Sequence, residues 1–351
     1  MLNQTKLKLD KELISYASRL DQDYRLKNIS PLLSAKIKDY ILRPGKRIRP
    51  TLFVIGYLAY SRKPASGLFR SALSIELLHD FMLVHDDIID KSSLRRGKPA
   101  MHKMFNDHFA GMGKIKFNGQ DLAIVAGDIL YALAMDAFLA IREKPVRKEK
   151  ALKKLISAAL YTGCGEFIEL VCGTKTIEKI QKSDIYKIYD FKTAYYTFAY
   201  PLSIGATLAG AQGKQVKKIF EYGVYLGRAF QIQDDILGMF ADEKETGKSA
   251  LSDLQESNKT LLIWRASRAA KPQDLKKINQ ILAKETVELS DLIKIRELVK
   301  NNGSLDYARR QIKFLNAKAV KIGNSLHIPA KYKKYLFELS RKILELNDPA
   351  K

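Results

Sequence analysis

Cysteine is almost missing from this chain, with two in 351 residues. Cys164 and Cys172 cannot build a disulfide framework, so a reducing compartment is expected and both thiols read as small core residues. Linkers are missing too. No stretch rich in proline, glycine and serine divides the sequence, and the densest breaker region, Gly111 to Gly119, comes too early to separate two halves. One large domain over 1–351 is therefore expected, although length alone suggests about two. β-branched runs with strict alternation are scarce, and the nearest hairpin candidate, Phe117-Asn118-Gly119, lacks alternating flanks. No fixed-period repeat appears, which excludes a solenoid. The opening Met1-Leu2-Asn3-Gln4-Thr5-Lys6 has no apolar signal segment. The longest apolar stretch, Leu122 to Ile141, is broken by Asp128 and Asp136 and makes a poor membrane span. A cytoplasmic protein is expected.

Acids are in deficit: 38 Asp and Glu face 61 Lys and Arg, a net charge of +23. Such an excess admits nucleic acid, an anionic membrane or phosphorylated substrates as partners. Much of it is lysine scattered in helical patterns, as in Lys144 to Lys150, which fits a solvated face better than a binding stripe. Without a nucleic-acid module or zinc spacing, no nucleic acid is expected as partner.

What the chain does have is helical periodicity. Ser71–Asp90, Leu122–Arg142, Ala151–Cys172 and Val216–Phe240 keep apolar residues three and four apart over five turns or more. The fold class is all-α, and several helices are apolar enough to lie centrally.

One of these apolar helices carries acids, in His85-Asp86-Asp87-Ile88-Ile89-Asp90. Four residues advance a helix by 400° and about 6 Å, so Asp86 and Asp90 share a face. Like charges there repel unless a cation sits between them, and hard carboxylate oxygens suit Mg²⁺, which bridges few carboxylates to substrate phosphates. Arg95-Arg96-Gly97-Lys98 follows at once, offering bidentate phosphate donors. A second acidic helix reads Phe230-Gln231-Ile232-Gln233-Asp234-Asp235-Ile236-Leu237-Gly238, then a polar loop with Lys248 and Asn258-Lys259-Thr260. A third motif, Arg43-Pro44-Gly45-Lys46-Arg47-Ile48-Arg49-Pro50, places Lys46 and Arg49 near a helix start, a natural anion site. His79 lies two turns before Asp86 on the same face, whereas His85 reads as structural.

The ordered set GKRIRP, HDDIIDKSSLRRGKP, FKTA, FQIQDDILG and GKSALSDLQESNKT resembles the trans-isoprenyl diphosphate synthase (polyprenyl synthetase) family, short-chain and geranylgeranyl diphosphate synthase-like. The likeness runs over about 42–345, with 1–30 an added N-terminal helical segment. It implies a single large helical bundle of the isoprenoid synthase type, its central cavity lined by two Asp-rich helices. The implied activity is Mg²⁺-dependent condensation of isopentenyl diphosphate with an allylic diphosphate, to a C20 product, on a homodimer with three Mg²⁺ per active site. By this resemblance Asp86, Asp90 and Asp234 ligate metal and Asp235 supports them. Arg95, Lys192, Thr193, Gln231, Lys248 and Lys259 contact the allylic diphosphate. Lys46, Arg49, His79 and Arg96 bind isopentenyl diphosphate, and Gly45 shapes that site. Asp86, Asp90, Arg95, Lys192, Asp234 and Asp235 carry catalysis, while Phe81 and Met82 set chain length. Gly238 stands where many members have a third Asp; Asp242, one turn on, is placed to compensate through water.

A terpene cyclase would lack GKRIRP, and a non-catalytic regulatory subunit would tend to lose one acidic motif. A farnesyl or longer-chain synthase stays open, as does peripheral contact of the lysines with anionic membranes.

Overall fold

A computed structural model describes residues 2–241 and 251–344. The chain divides into two compact units, each drawn from two separate stretches: 1–155 with 204–211, and 156–203 with 212–351.

The first unit is helical apart from one small hairpin. It contains α1 (Leu2–Tyr24), α2 (Leu26–Ile29), α3 (Pro31–Ile41), α4 (Ile48–Leu58), α5 (Leu68–Ile89), β1 (Leu94–Arg95), β2 (Lys98–Pro99), α6 (Met101–Phe109) and α7 (Gly119–Leu139). The helix α5 is its axis, packed by α7, α4, α1 and α6, which explains why it is apolar nearly all round. Asn118 is not a hairpin residue. Its side chain accepts from the Asp121 N–H at 3.0 Å while Asp121 accepts from the Asn118 N–H at 2.8 Å, a capping box that starts α7. The two-residue hairpin lies instead between Arg95 and Lys98, where Arg96 and Gly97 both take positive φ, 55° and 72°. Positive φ at both central residues suits the right-handed twist of so tight a turn.

The helix α8 (Pro145–Gly173) is continuous through the boundary at residue 155. The second unit continues with α9 (Lys182–Ile188), a π-helical run Tyr189–Ala199, α10 (Tyr200–Leu208, whose end belongs to the first unit) and α11 (Gly213–Phe240). It closes with α12 (Ser252–Gln255), α13 (Leu261–Ala269), α14 (Pro272–Leu282), α15 (Leu289–Asn301), α16 (Ser304–Asn324) and α17 (Ala330–Leu344). Its core gathers Ile232 and Ile236 of α11, Leu262 of α13, Ile295 of α15 and Leu315 of α16. The π run approaches α11 closely: a Cβ at Gly227 would lie 2.4 Å from Ala194 Cα.

By length and composition α7 and α8 could each cross a membrane. In α7 Asp136 serves the unit's own packing, since Tyr16 of α1 donates to it at 3.0 Å. In α8 only 28% of the most apolar stretch is buried. Ile156, Leu160, Phe167 and Val171 stand exposed along one stripe of it. Cys164 lies in that stripe and is exposed, which corrects its expected place in a core; Cys172 is buried as expected.

Candidate active site

In the first unit α5 presents two kinds of acid. Asp86 and Asp90 are both partly buried and one turn apart at its C-terminal end, as the spacing predicts. Asp87, 100° around the helix, is fully buried. Arg95 clamps it, with Nε donating to Asp87 Oδ1 at 2.7 Å and Nη2 donating to the same oxygen, while Tyr40 donates to Oδ2 at 3.4 Å. Burial raises the Asp87 pKa, and the Arg95 bonds pull it back. Arg95 also stands 3.6 Å from Asp86 Oδ2. Thus the buried acid of the motif fixes the arginine by hydrogen bonds, while Asp86 and Asp90 keep partial exposure.

The GKRIRP segment ends on α4. Arg47, at the N-cap with φ 51°, is buried and donates to Glu76 Oε1 at 2.7 Å, to Asp10 Oδ1 at 3.0 Å and to the Arg43 carbonyl at 2.8 Å. A Cβ at Gly45 would come within 3.1 Å of Arg47 Nη1, so the glycine leaves room for that guanidinium. Lys46 and Arg49 flank it at the helix start, and Pro50 takes the third helical position. His79 is held neutral. Burial and then Arg49, Arg96, Arg95 and Arg47 push its pKa well below the usual imidazole range. Phe81 packs edge-on to Tyr131 of α7 at 5.3 Å and against His85 at 4.7 Å; Met82 beside it is partly buried. His85 Nδ1 lies 3.1 Å from the Phe81 carbonyl.

In the second unit Asp234 is exposed and Asp235 is buried. Asp235 accepts from Gln231 Nε2 at 2.9 Å and from the Tyr189 hydroxyl. The line extends both ways: Thr193 donates to Gln231 Oε1 at 2.6 Å, and the Leu261 N–H donates to Tyr189 at 2.8 Å. Burial and then Asp235 raise the Tyr189 pKa well above the phenol value, so it stays a donor. Lys192, on the π run, pairs with Glu166 at 2.8 Å and with Glu169, both on α8. Lys259 is buried just before the start of α13, and burial lowers its pKa. Phe230 lies 5.3 Å from Phe198. Lys248 and Asp242 lie outside the described residues.

The structure thus gathers the sequence-predicted residues into two sets, one per unit, and adds partners that spacing does not reveal: Asp87, Glu76 and Asp80 under the arginines, Glu166 and Glu169 on Lys192, Tyr189 on Asp235. Tyr189→Phe is expected to cost about 1–3 kcal/mol of stability, because Asp235 and the Leu261 N–H both lose a buried partner. Chemical denaturation checks it, and an unchanged midpoint would count against the line of bonds.

The polyprenyl synthetase family model matches residues 30–299. Geranylgeranyl diphosphate synthase of Sulfolobus acidocaldarius is 32% identical over 302 residues, covering 84% of this chain and 86% of that one. Geranylfarnesyl diphosphate synthase of Aeropyrum pernix is 33% identical over 275 residues, 77% and 80%. The crystal structure of geranylgeranyl pyrophosphate synthase from Corynebacterium glutamicum, complexed with isoprenyl diphosphate and magnesium, matches 99% of this chain and 100% of that one with TM-score 0.90 and 25% identity. The chain belongs to the polyprenyl synthetase family of prenyltransferases.

Proposed function

We propose that this protein condenses isopentenyl diphosphate head-to-tail with an allylic diphosphate, giving the C20 product geranylgeranyl diphosphate. The observation that carries this reading is the division of labour on α5, with Asp86 and Asp90 on one face and the buried Asp87 clamping Arg95. The relatives named above support a short-chain product.

Asp86, Asp90 and Asp234 offer hard oxygen donors of the kind Mg²⁺ takes, a few carboxylates completed by water and substrate phosphates. These donors are of the chemistry magnesium takes, and the family resemblance implies three ions per active site. Magnesium, when bound, supplies Lewis-acid assistance to the departing diphosphate. The chain's own groups do the rest. Arg95, Lys192, Thr193, Gln231, Lys248 and Lys259 hold the allylic diphosphate and neutralise charge growing on its leaving oxygens, a preorganised electrostatic effect. Asp235 keeps Gln231 in place. Lys46, Arg49 and Arg96 bind the diphosphate of isopentenyl diphosphate, neutral His79 donates to it, and Gly45 leaves the room they need. Apolar side chains keep water from the allylic cation, and Phe230 offers it a ring face. The new carbon–carbon bond forms, and the released diphosphate takes the proton, so no side chain serves as base. The whole of 1–351 acts as one catalytic domain, since neither compact unit is a continuous stretch.

The exposed apolar stripe of α8 supports a homodimer, because contiguous exposed apolar surface marks an interface. Phe167, 69% exposed, anchors it. Phe167→Glu is expected to halve the mass seen by light scattering, and an unchanged mass would exclude this face. The excess of 23 positive charges supports peripheral contact with anionic membranes, where the apolar product goes.

The test is a product assay with isopentenyl diphosphate, Mg²⁺ and, separately, dimethylallyl, geranyl or farnesyl diphosphate, read by mass spectrometry. A C20 product is expected, abolished by chelator. A C15 or longer product would correct the length alone, and no product from any starter would overturn the reading.

A further inference from the structure

Beneath Arg96 lies an acid that the reaction scheme leaves without a task. Asp80 is on α5, six residues before Asp86, with no exposure at all. A carboxylate so placed is costly unless a cation compensates it. Arg96 Nη2 stands 3.2 Å from Asp80 Oδ1, yet neither Asp80 oxygen receives a hydrogen bond. The contact is one of charge, without the directed fork that ties Arg95 to Asp87.

Arg96 itself is unusual in two ways. It is a non-glycine residue at φ 55° in the two-residue turn between β1 and β2, a conformation that costs on the order of 1 kcal/mol. Its side chain keeps 18% exposure above an acid that has none. A cation held from below by charge, and reaching solvent on its other side, is suited to meet an anion without being locked away from it.

The charged groups around Asp80 come from several elements. Glu76, one turn back on α5, repels it; Arg96 from the turn and Arg47 and Arg49 from α4 attract it. Tyr40 of α3 feels its field, and His79 adjoins it in sequence as a neutral ring. Glu76 is already committed to Arg47 at 2.7 Å and lies 3.8 Å from Arg96. Asp80 is therefore the nearer counter-charge of Arg96.

We propose that Asp80 is a positioning residue, which holds the Arg96 guanidinium by charge for the diphosphate of isopentenyl diphosphate. This rests on the reading above that Arg96 binds that substrate. Burial, reinforced by Glu76 and opposed by Arg96, Arg47 and Arg49, pushes the Asp80 pKa up to about 7. As pH falls through that value Asp80 takes a proton, its hold on Arg96 lapses, and affinity for isopentenyl diphosphate falls.

The experiment titrates isopentenyl diphosphate into the full-length protein by calorimetry at pH 8 and pH 6. Asp80→Asn, isosteric and uncharged, is expected to weaken Kd about tenfold at pH 8 and to lose the pH dependence that the wild type shows. The substrate's own titration affects both proteins alike, so the ratio of the two Kd values is the quantity read. In an Arg96→Ala background the same substitution is expected to add nothing. An unchanged or tighter Kd for Asp80→Asn, or a further loss in the Arg96→Ala background, would overturn the assignment. If Asp80→Asn does not fold, wild type and Arg96→Ala decide: the pH dependence must vanish with the arginine, and its persistence rejects the role of Asp80. Prenyl product formed by a wild type whose affinity ignores pH refutes this inference alone. Absence of any product refutes the reading it rests on.

Discussion

Asp86→Asn is expected to lower kcat by about 10³-fold, on the order of 4 kcal/mol of transition-state stabilisation, with little change in thermal midpoint. Asp86 is partly exposed, at 20% of its side chain, and stands 3.6 Å from Arg95, so folding asks less of it than of Asp87. Asp87→Asn is the informative contrast. Asp87 is fully buried and carries the Arg95 clamp; neutralising it takes from the buried guanidinium the carboxylate that holds it by two hydrogen bonds and leaves only the longer contact to Asp86, a loss of about 3 kcal/mol. Two adjacent acids of one motif therefore separate into a catalytic and a stabilising pattern. Steady-state kinetics at saturating Mg²⁺ and thermal unfolding of both variants read that separation. Equal losses of stability in the two would refute it.

Phe81→Ala is expected to lengthen the product by at least one C5 unit. The ring lies one turn and a residue before Asp86 on α5 and packs on Tyr131 and His85. Removing it opens space toward α7, which the proposed chain-length role gives to the growing chain. Because Phe81 is only partly buried, the stability cost falls below the roughly 3–5 kcal/mol of a fully buried Phe→Ala change. The reaction is run with farnesyl diphosphate as starter and analysed by mass spectrometry. A distribution identical to wild type would show that Phe81 does not limit chain length.

Much of this was legible before any coordinates. The period of the helix places Asp86 and Asp90 together, and the four long apolar runs fall on α5, α7, α8 and α11 with boundaries shifted by a few residues. What stayed hidden depends on pairing across distance. Nothing in the spacing says that Asp87 turns inward to Arg95, or that Asp80 and Glu76 lie beneath Arg96 and Arg47. Cys164 read as a core residue because cysteine prefers burial; its place on the exposed stripe of α8 overrides that preference. The hairpin at Arg96-Gly97 leaves no mark in the sequence pattern because its strands are two residues each, too short to alternate. Asn118-Gly119 has the composition of a hairpin turn, yet a side-chain cap settles it as a helix start.

The π-helical run Tyr189–Ala199 has a consequence for how this segment tolerates length change. Bonding from i to i+5 accommodates an extra residue relative to an α-helix, and Lys192 and Thr193 take their bearing from that surplus. Deleting a single residue between Tyr189 and Lys192 would remove that surplus and change the bearing of both side chains toward Glu166, Glu169 and Gln231. Point substitution can be absorbed here one side chain at a time. A frame-preserving deletion cannot, so natural and engineered variants should keep the residue count of this stretch fixed even where its sequence drifts.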